Sequence, residues 1–208
     1  YGLSEDGSEQ SVLHLLDVGT GQPLPDRIPR TRSADLAWLP DGSGFYYTRY
    51  PAPGEVPEGE EHYHRSIFLH LIGADPSRDT LVFKPARKEY WPGVGLSPDG
   101  RWLLISVSRT FDETDLYIRD LHTGGPLVPV AEDIAASFEG VVVRGRLFLR
   151  TNLDAPTYRL YDVDPERPER AAWRELVPPR EDAVLEGVRV TADRIALSYL
   201  EHASSRFR

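Results

Sequence analysis

The chain has 208 residues, of which 40% are hydrophobic and 27% are charged. This is enough to bury a core and too hydrophobic for a disordered chain. The net charge of −9 argues against general nucleic-acid binding, which needs a basic surface to displace counterions. The chain has no cysteine, which excludes disulfides, thiolate metal sites and cysteine nucleophiles. No apolar run approaches the ~18 residues that a membrane helix needs.

The first residues, Tyr1–Asp6, have neither the basic start nor the apolar core of a signal peptide. The chain also contains no methionine. We therefore expect the sequence to begin inside a longer protein. We expect a cytoplasmic location, and the absence of cysteine fits the periplasm as well.

Apolar residues fall in short runs bounded by Gly, Pro, Asp and Asn, a pattern typical of β-strands. An Asp-Gly pair recurs between such runs at Asp6-Gly7, Asp41-Gly42 and Asp99-Gly100, and weaker turns are predicted at Arg144-Gly145 and near Ala192-Asp193. Asp-Gly favours a tight hairpin because glycine supplies the positive φ of the turn. Further strands follow these hairpins, so the sequence predicts units of four antiparallel strands.

Such units, at a variable period near the ~40–45 residues of a propeller blade, are typical of radially stacked sheets. We predict an all-β fold, an incomplete β-propeller of four-stranded antiparallel blades. The predicted units are a partial blade over 1–30, whole blades over 35–86, 91–134 and 138–179, and a partial blade over 185–208. A β-sandwich is the alternative, but it usually shows shorter and less regular unit spacing.

Several short sequence motifs follow one another along the chain. They are Tyr1–Ser4, Leu36–Trp38 with Gly44–Tyr47, Leu96–Arg101, and Thr151–Pro156 with Trp173–Pro178. As an ordered set they resemble the propeller of the prolyl oligopeptidase family, over essentially the whole chain. Oligopeptidase B, a relative that cuts after basic residues, resembles the chain less around Ala155-Pro156 and Trp173.

The resemblance implies a seven-bladed propeller that caps an α/β-hydrolase domain, which is absent from this chain. It also implies that the parent protein cleaves short proline-containing peptides after proline, with a Ser-Asp-His triad in that domain. The chain itself is then non-catalytic. It restricts access to short peptides, contacts the hydrolase domain in cis and needs no cofactor. Blade faces left exposed are expected to promote self-association.

The rival interpretation is a free-standing propeller that scaffolds protein complexes. It explains the repeated strands equally well, but it does not explain the ordered motifs between Thr151 and Pro178.

The residues offer no nucleophile of their own. An α/β-hydrolase nucleophile needs Gly-x-Ser-x-Gly, and this sequence does not contain it. No histidine lies in a recognisable catalytic motif, and we interpret His70 as an ordinary strand residue. His62 and His64, with Glu60 and Glu61, carry the donor types of a transition-metal site. We interpret this acidic loop as solvated surface and predict no metal site.

The longest irregular segment runs from Tyr50 to His64, and long loops in compact domains are usually functional or disordered. The resemblance implies that it is a flexible insertion near the domain interface, linked to substrate access. The candidate gating residues are Tyr50, Pro53, Glu55, Glu58, Glu60 and His62. The alternative is a mobile surface loop without a role.

The resemblance also implies that some propeller side chains reach the substrate. One such position, aromatic in the family, is Ser33 here. Two others are Trp91 and Phe111, which are the candidate substrate-binding residues in a cavity wall. The alternative is that these two side chains pack between blades or against the hydrolase domain.

Overall fold

A computed structural model describes residues 1–5, 7–191 and 194–208. Strands make up 47% of it and helix 3%, which confirms the all-β prediction. The chain forms two compact units, Tyr1–Gly95 and Leu96–Arg208. The turns predicted at Asp6 and at Ala192-Asp193 lie outside the described residues. In the part that is described, no helix has the length and apolar character needed to cross a membrane.

The first unit contains two antiparallel sheets whose strands follow one another in sequence order. The first sheet consists of β1 (Gly2–Ser4), β2 (Ser11–Leu16) and β3 (Pro23–Ile28). The second consists of β4 (Leu36–Trp38), β5 (Gly44–Arg49), β6 (Ser66–Leu71) and β7 (Thr80–Phe83), with a 3-10 turn at Pro76–Arg78.

The strand β8 (Trp91–Leu96) crosses the division between the units and starts the next sheet. That sheet continues with β9 (Trp102–Ser108), β10 (Thr114–Asp120) and β11 (Val128–Ala131). Another follows with β12 (Phe138–Val143), β13 (Arg146–Thr151), β14 (Arg159–Val163) and β15 (Arg174–Val177), with a 3-10 turn at Arg170–Ala172. The last sheet has β16 (Val184–Val190), β17 (Ile195–Glu201) and β18 (Ser204–Phe207). The predicted class of four-stranded antiparallel sheets is therefore confirmed.

The tight turns use glycine where the sequence predicts it. Gly42, between β4 and β5, has φ of 72°, and Gly100, between β8 and β9, has φ of 73°. The carboxylate of Asp41 accepts a hydrogen bond from the Ser43 amide at 3.0 Å. The Asp-Gly pair thus supplies both the backbone freedom and the local hydrogen bond of the turn.

Neighbouring sheets bury each other's faces within each unit. In the first unit, Leu13 and Ile28 of the first sheet pack with Phe45 and Tyr47 of the second. Each side chain of this size contributes about 1.5–3 kcal/mol when it is fully buried. All six residues of β5 are buried, as expected for a strand in a sheet that is covered on two sides.

Gly140 permits the closest approach in the core of the second unit. A Cβ at this position of β12 would lie 2.8 Å from Cδ1 of Leu147 and 3.0 Å from Cδ2 of Leu116. Leu116 belongs to the preceding sheet, so the glycine lets two sheets pack without a gap. A second cluster in this unit joins Leu160 with Leu185 and Tyr199 of the last sheet.

Candidate functional site

The loop over residues 51–64 connects β5 to β6 and is built from consecutive turns. The Glu55 amide donates to the Ala52 carbonyl at 3.0 Å, and the Glu60 amide donates to the Pro57 carbonyl at 3.0 Å. The Tyr63 amide donates to the Glu60 carbonyl at 2.9 Å. The loop therefore has a defined backbone course, although it contains no strand.

Both ends of the loop are anchored. At its start, the buried Tyr50 donates its amide to the Arg30 carbonyl at 3.0 Å, and Nε of Arg30 donates to the Tyr50 carbonyl at 3.2 Å. At its end, Glu60 accepts from Nζ of Lys88 at 2.7 Å and lies 2.8 Å from Nε2 of His64. The hydrogen bonds from Lys88 and then from His64 hold the pKa of Glu60 below its usual value. Glu60 is thus a charged anchor for the end of the loop.

The structure separates the six candidate gating residues into two groups. Tyr50 is buried and Glu60 is half-buried, and both serve as anchors. The other four are exposed at the loop surface: Pro53, Glu55, Glu58 and His62. Among the described residues, no group of three or more His, Cys, Asp or Glu side chains is placed to hold a metal ion.

Arg65, the residue directly after the loop, lies under the candidate wall. It is 5% exposed, and its Nη2 donates to the Ser33 carbonyl and, at 2.5 Å, to Oγ1 of Thr48. Its guanidinium carbon lies 5.3 Å from the centre of the Trp91 ring and 5.9 Å from that of Tyr50. Burial lowers the pKa of this guanidinium below its ordinary value. Aromatic faces and oxygen acceptors, together with the nearby charge of Asp35, surround this buried arginine.

The structure therefore brings together three residues that the sequence indicated separately. Ser33, Tyr50 and Trp91 surround one arginine, and Trp91, the first residue of β8, is 48% exposed above it. Sequence reasoning missed Arg65 itself. The only signal was its place between the loop and an apolar strand, and that position does not reveal burial.

Phe111 belongs to the second unit and stands free of packing, with an exposed fraction of 112%. A salt bridge anchors its loop, since Nε of Arg109 lies 3.2 Å from Oδ1 of Asp115. Asp115 also accepts from the Asp133 amide at 2.9 Å, and burial raises the pKa of its carboxyl group. Phe111 is thus an exposed aromatic ring on an anchored loop.

A buried polar network lies beside the start of the loop over residues 51–64. His70 of β6 is fully buried, with Nε2 3.0 Å from Oδ1 of Asp26 and Nδ1 2.8 Å from Oδ1 of Asp79. Asp26 also accepts from the Gly73 amide at 2.5 Å, and Tyr47 donates its hydroxyl to Asp79 at 2.6 Å. Asp26 belongs to β3, so the network ties the first sheet to the second.

Each ring nitrogen of His70 faces one of the two buried carboxyl groups, so the imidazole is held between Asp26 and Asp79. Nη1 of Arg49 lies 4.0 Å from Oδ2 of Asp79 and donates to the Pro76 carbonyl at 2.9 Å. The buried carboxyl groups thus have hydrogen-bond partners, and Asp79 also has a neighbouring guanidinium, which is how buried polar groups are tolerated. Arg49 precedes Tyr50, so the network forms the base of the loop.

Acidification is expected to weaken this contact between the sheets. Burial raises the pKa of Asp26, but the Gly73 amide and His70 outweigh it, so the net pKa lies below 3.8. A carboxyl group with a lowered pKa stabilises the fold above its unfolded pKa, and this stabilisation is lost as the pH falls through the folded value. Thermal unfolding from neutral pH to below pH 3.8 should therefore show a loss of stability.

The Asp26→Asn variant tests this assignment. Its deficit relative to the wild type should be largest at neutral pH and should shrink on acidification, because protonated aspartate resembles asparagine. Asp112→Asn, which changes an exposed carboxylate bonded to Thr110, is the control and should show a small deficit at every pH. A pH-independent deficit in Asp26→Asn would show that the carboxylate charge is not what stabilises the contact.

Four-stranded antiparallel sheets, joined in sequence order and covering one another's faces, define the chain as blades of a β-propeller. Residues 1–208 match the family model described as the prolyl oligopeptidase N-terminal β-propeller domain. The chain belongs to this family, which confirms the resemblance found in the sequence.

Individual relatives agree with this assignment. The chain is 26% identical to a prolyl endopeptidase of Elizabethkingia meningoseptica, in an alignment that covers 85% of the chain and 25% of that protein. It is 28% identical to the prolyl oligopeptidase ophP of Omphalotus olearius, over 98% of the chain and 30% of that protein. A solved prolyl endopeptidase superposes with a TM-score of 0.91 at 29% identity, over 100% of the chain and 31% of that structure. The chain therefore spans about a quarter to a third of the proteins that it resembles.

Proposed function

We propose that this chain is the access-restricting part of a peptidase that cleaves short peptides after proline. It forms part of the propeller that faces an α/β-hydrolase domain in cis, and it contributes no catalytic group. The anchored loop over residues 51–64 limits entry, and Trp91 of the first unit belongs to the wall that an entering peptide meets. Phe111 of the second unit is a separate candidate contact for the peptide. The observation that carries the proposal is the arrangement of this loop, Ser33 and Trp91 around Arg65 at one end of the second sheet.

Three further observations support the proposal. The family match extends over the whole chain, while the chain spans only 31% of the solved prolyl endopeptidase. That structure comes from a study of inter-domain dynamics in catalysis and specificity. The terminal sheets also expose apolar side chains, including Tyr1, Leu3 and Phe207, which suits contact with further protein surface.

A chimera tests the proposal. Residues 1–208 replace the corresponding segment of the solved prolyl endopeptidase, and hydrolysis after proline is measured with one short and one long peptide. We expect an active chimera that prefers the short peptide. A folded chimera that cleaves neither peptide would favour the rival interpretation, a free-standing interaction propeller.

Deleting residues 52–62 in this chimera should relax the exclusion of long peptides. We expect the ratio of kcat/KM for the long peptide to that for the short one to rise about tenfold, which corresponds to about 1.4 kcal/mol of discrimination. The reason is that the deletion removes the loop body together with its Glu60 anchor to Lys88.

Glu58→Gln is the matched control, because it alters an exposed side chain and leaves the loop in place. It should leave the ratio unchanged. Equal kinetics of the deletion variant and the parent chimera on both peptides would rule out the gate.

A further inference from the structure

We propose that Arg65 is a positioning residue that couples the loop over residues 51–64 to the wall residue Trp91, so that the two change position together. The coupling concerns the chain's own structure. Its consequence for an extended peptide that contacts Trp91 rests on the proposed function.

The first step is the set of segments that Arg65 joins. Its side chain contacts Ser33 before β4, Thr48 in β5, Tyr50 at the loop start and Trp91 in β8. Arg65 itself follows the last loop residue, so both ends of the loop and the wall meet at one guanidinium. A planar group with several fixed donors suits this task, because its hydrogen bonds and its stacking hold at the same time.

The second step is how the buried positive charge of Arg65 is stabilised. Nε of Arg65 is buried without a hydrogen-bond partner. Burial disfavours the charged guanidinium, and the side chain of Tyr50 and the nearby charge of Asp35 offset only part of this cost, so that the pKa of Arg65 stays lowered. A buried cation held in this way depends strongly on its aromatic neighbours, because their π faces replace part of the lost hydration. Trp91 is the nearer of the two rings, so moving it would leave the cation poorly stabilised.

The third step is a short segment that contacts both parts. Lys88 holds Glu60 in the loop through its ammonium group, and its carbonyl accepts from the His64 amide at 2.9 Å. Trp91, three residues further along, lies on Arg65. Releasing the loop end from Lys88 and shifting Trp91 therefore act on the same stretch of backbone.

Proteolysis of the whole chain tests the coupling. A glutamate-specific protease cleaves the loop when its end is released, and the rate follows the population of the released state when reclosing is fast. We expect Arg65→Met and Trp91→Ala each to raise the cleavage rate at Glu55 and Glu58 about tenfold. Arg87→Met is the matched control, since Arg87 lies 5.8 Å from the Tyr90 ring but is exposed, and its cleavage rate should equal that of the wild type.

Trp91→Ala keeps the test decisive if Arg65→Met does not fold, because Trp91 is half exposed and belongs to no core cluster described above. Wild-type cleavage in Trp91→Ala would overturn the coupling, since the wall would then not hold the loop.

Kinetics of the chimera separate positioning from general destabilisation. Arg65→Met should change KM for the long peptide several-fold with kcat for the short peptide unchanged, whereas a loss of folded enzyme would lower kcat for both. If Arg65→Met is cleaved faster by the protease but its KM for the long peptide is unchanged, the gate is refuted and the coupling is supported. Unchanged proteolysis in Trp91→Ala would refute the coupling whether or not loop deletion changes the kinetics.

Discussion

Replacing His70 by leucine is expected to destabilise the chain by about 3–5 kcal/mol, because it leaves two buried carboxylates without their shared partner. The side chains of Asp26 and Asp79 are 0% and 1% exposed, so water cannot replace the lost hydrogen bonds. Tyr47 and the Gly73 amide would remain as donors to them, and Arg49 would remain 4.0 Å from Asp79, but none of these groups reaches the oxygens that His70 contacts on both carboxyl groups at once. Urea-induced unfolding followed by tryptophan fluorescence measures the loss.

Two variants define what this result means. His14→Leu is the matched control, because His14 lies in the neighbouring strand β2 as a half-buried residue stacked on Tyr1. Its cost should stay below about 1 kcal/mol. The triple variant with leucine at 26, 70 and 79 should regain much of the stability, since apolar replacement of a buried charge network is often tolerated. A His70→Leu variant no less stable than His14→Leu would contradict the role of the network.

Gly44→Ala is expected to cost about 3 kcal/mol or more, because the added methyl group meets backbone atoms and not a flexible side chain. A Cβ at Gly44 would lie 2.2 Å from the His70 carbonyl oxygen and 3.2 Å from its carbon. Gly44 opposes Leu71 where β5 pairs with β6, so relief of the clash would displace the strand that carries His70. The variant should therefore also disturb the buried network.

Gly187→Ala serves as the control for this substitution in the same experiment. A Cβ at Gly187 would meet only Cβ of Ser198 at 3.9 Å, which is ordinary van der Waals contact. Alanine there should be neutral or stabilise by about 0.4–1 kcal/mol through the unfolded chain. If Gly44→Ala and Gly187→Ala unfold at the same urea concentration, the pairing of β5 with β6 adapts to the added methyl group more easily than its geometry indicates.

The loop over residues 51–64 and the network at its base are stabilised by different forces. The His70 network is buried and insulated from salt, whereas the Glu60–Lys88 pair is partly exposed and worth little alone. The fold therefore places a weakly held loop on a strongly held base. This division of stability is what the proposed opening of the loop would require, because the loop could then open while its sheet stays folded.

The sequence by itself determined the repeated architecture. Asp41-Gly42 and Asp99-Gly100 fix hairpins through local backbone chemistry, and the apolar runs beside them report strands. The ordered sequence motifs identified the family. The absence of Gly-x-Ser-x-Gly excluded an α/β-hydrolase nucleophile within the given sequence. The strand β3 was not predicted, because its two prolines suppress the strand pattern of a short segment.

Only the tertiary structure decided which polar side chains are buried. His70 meets Asp26 across 44 positions of sequence, and Arg65 meets the Ser33 carbonyl across 32. Strand periodicity reports the face on which a residue lies, but not which sheet will cover that face or which groups it brings. A histidine in a strand and an arginine after a loop are thus buried and hydrogen-bonded, because burial depends on partners that local sequence does not encode.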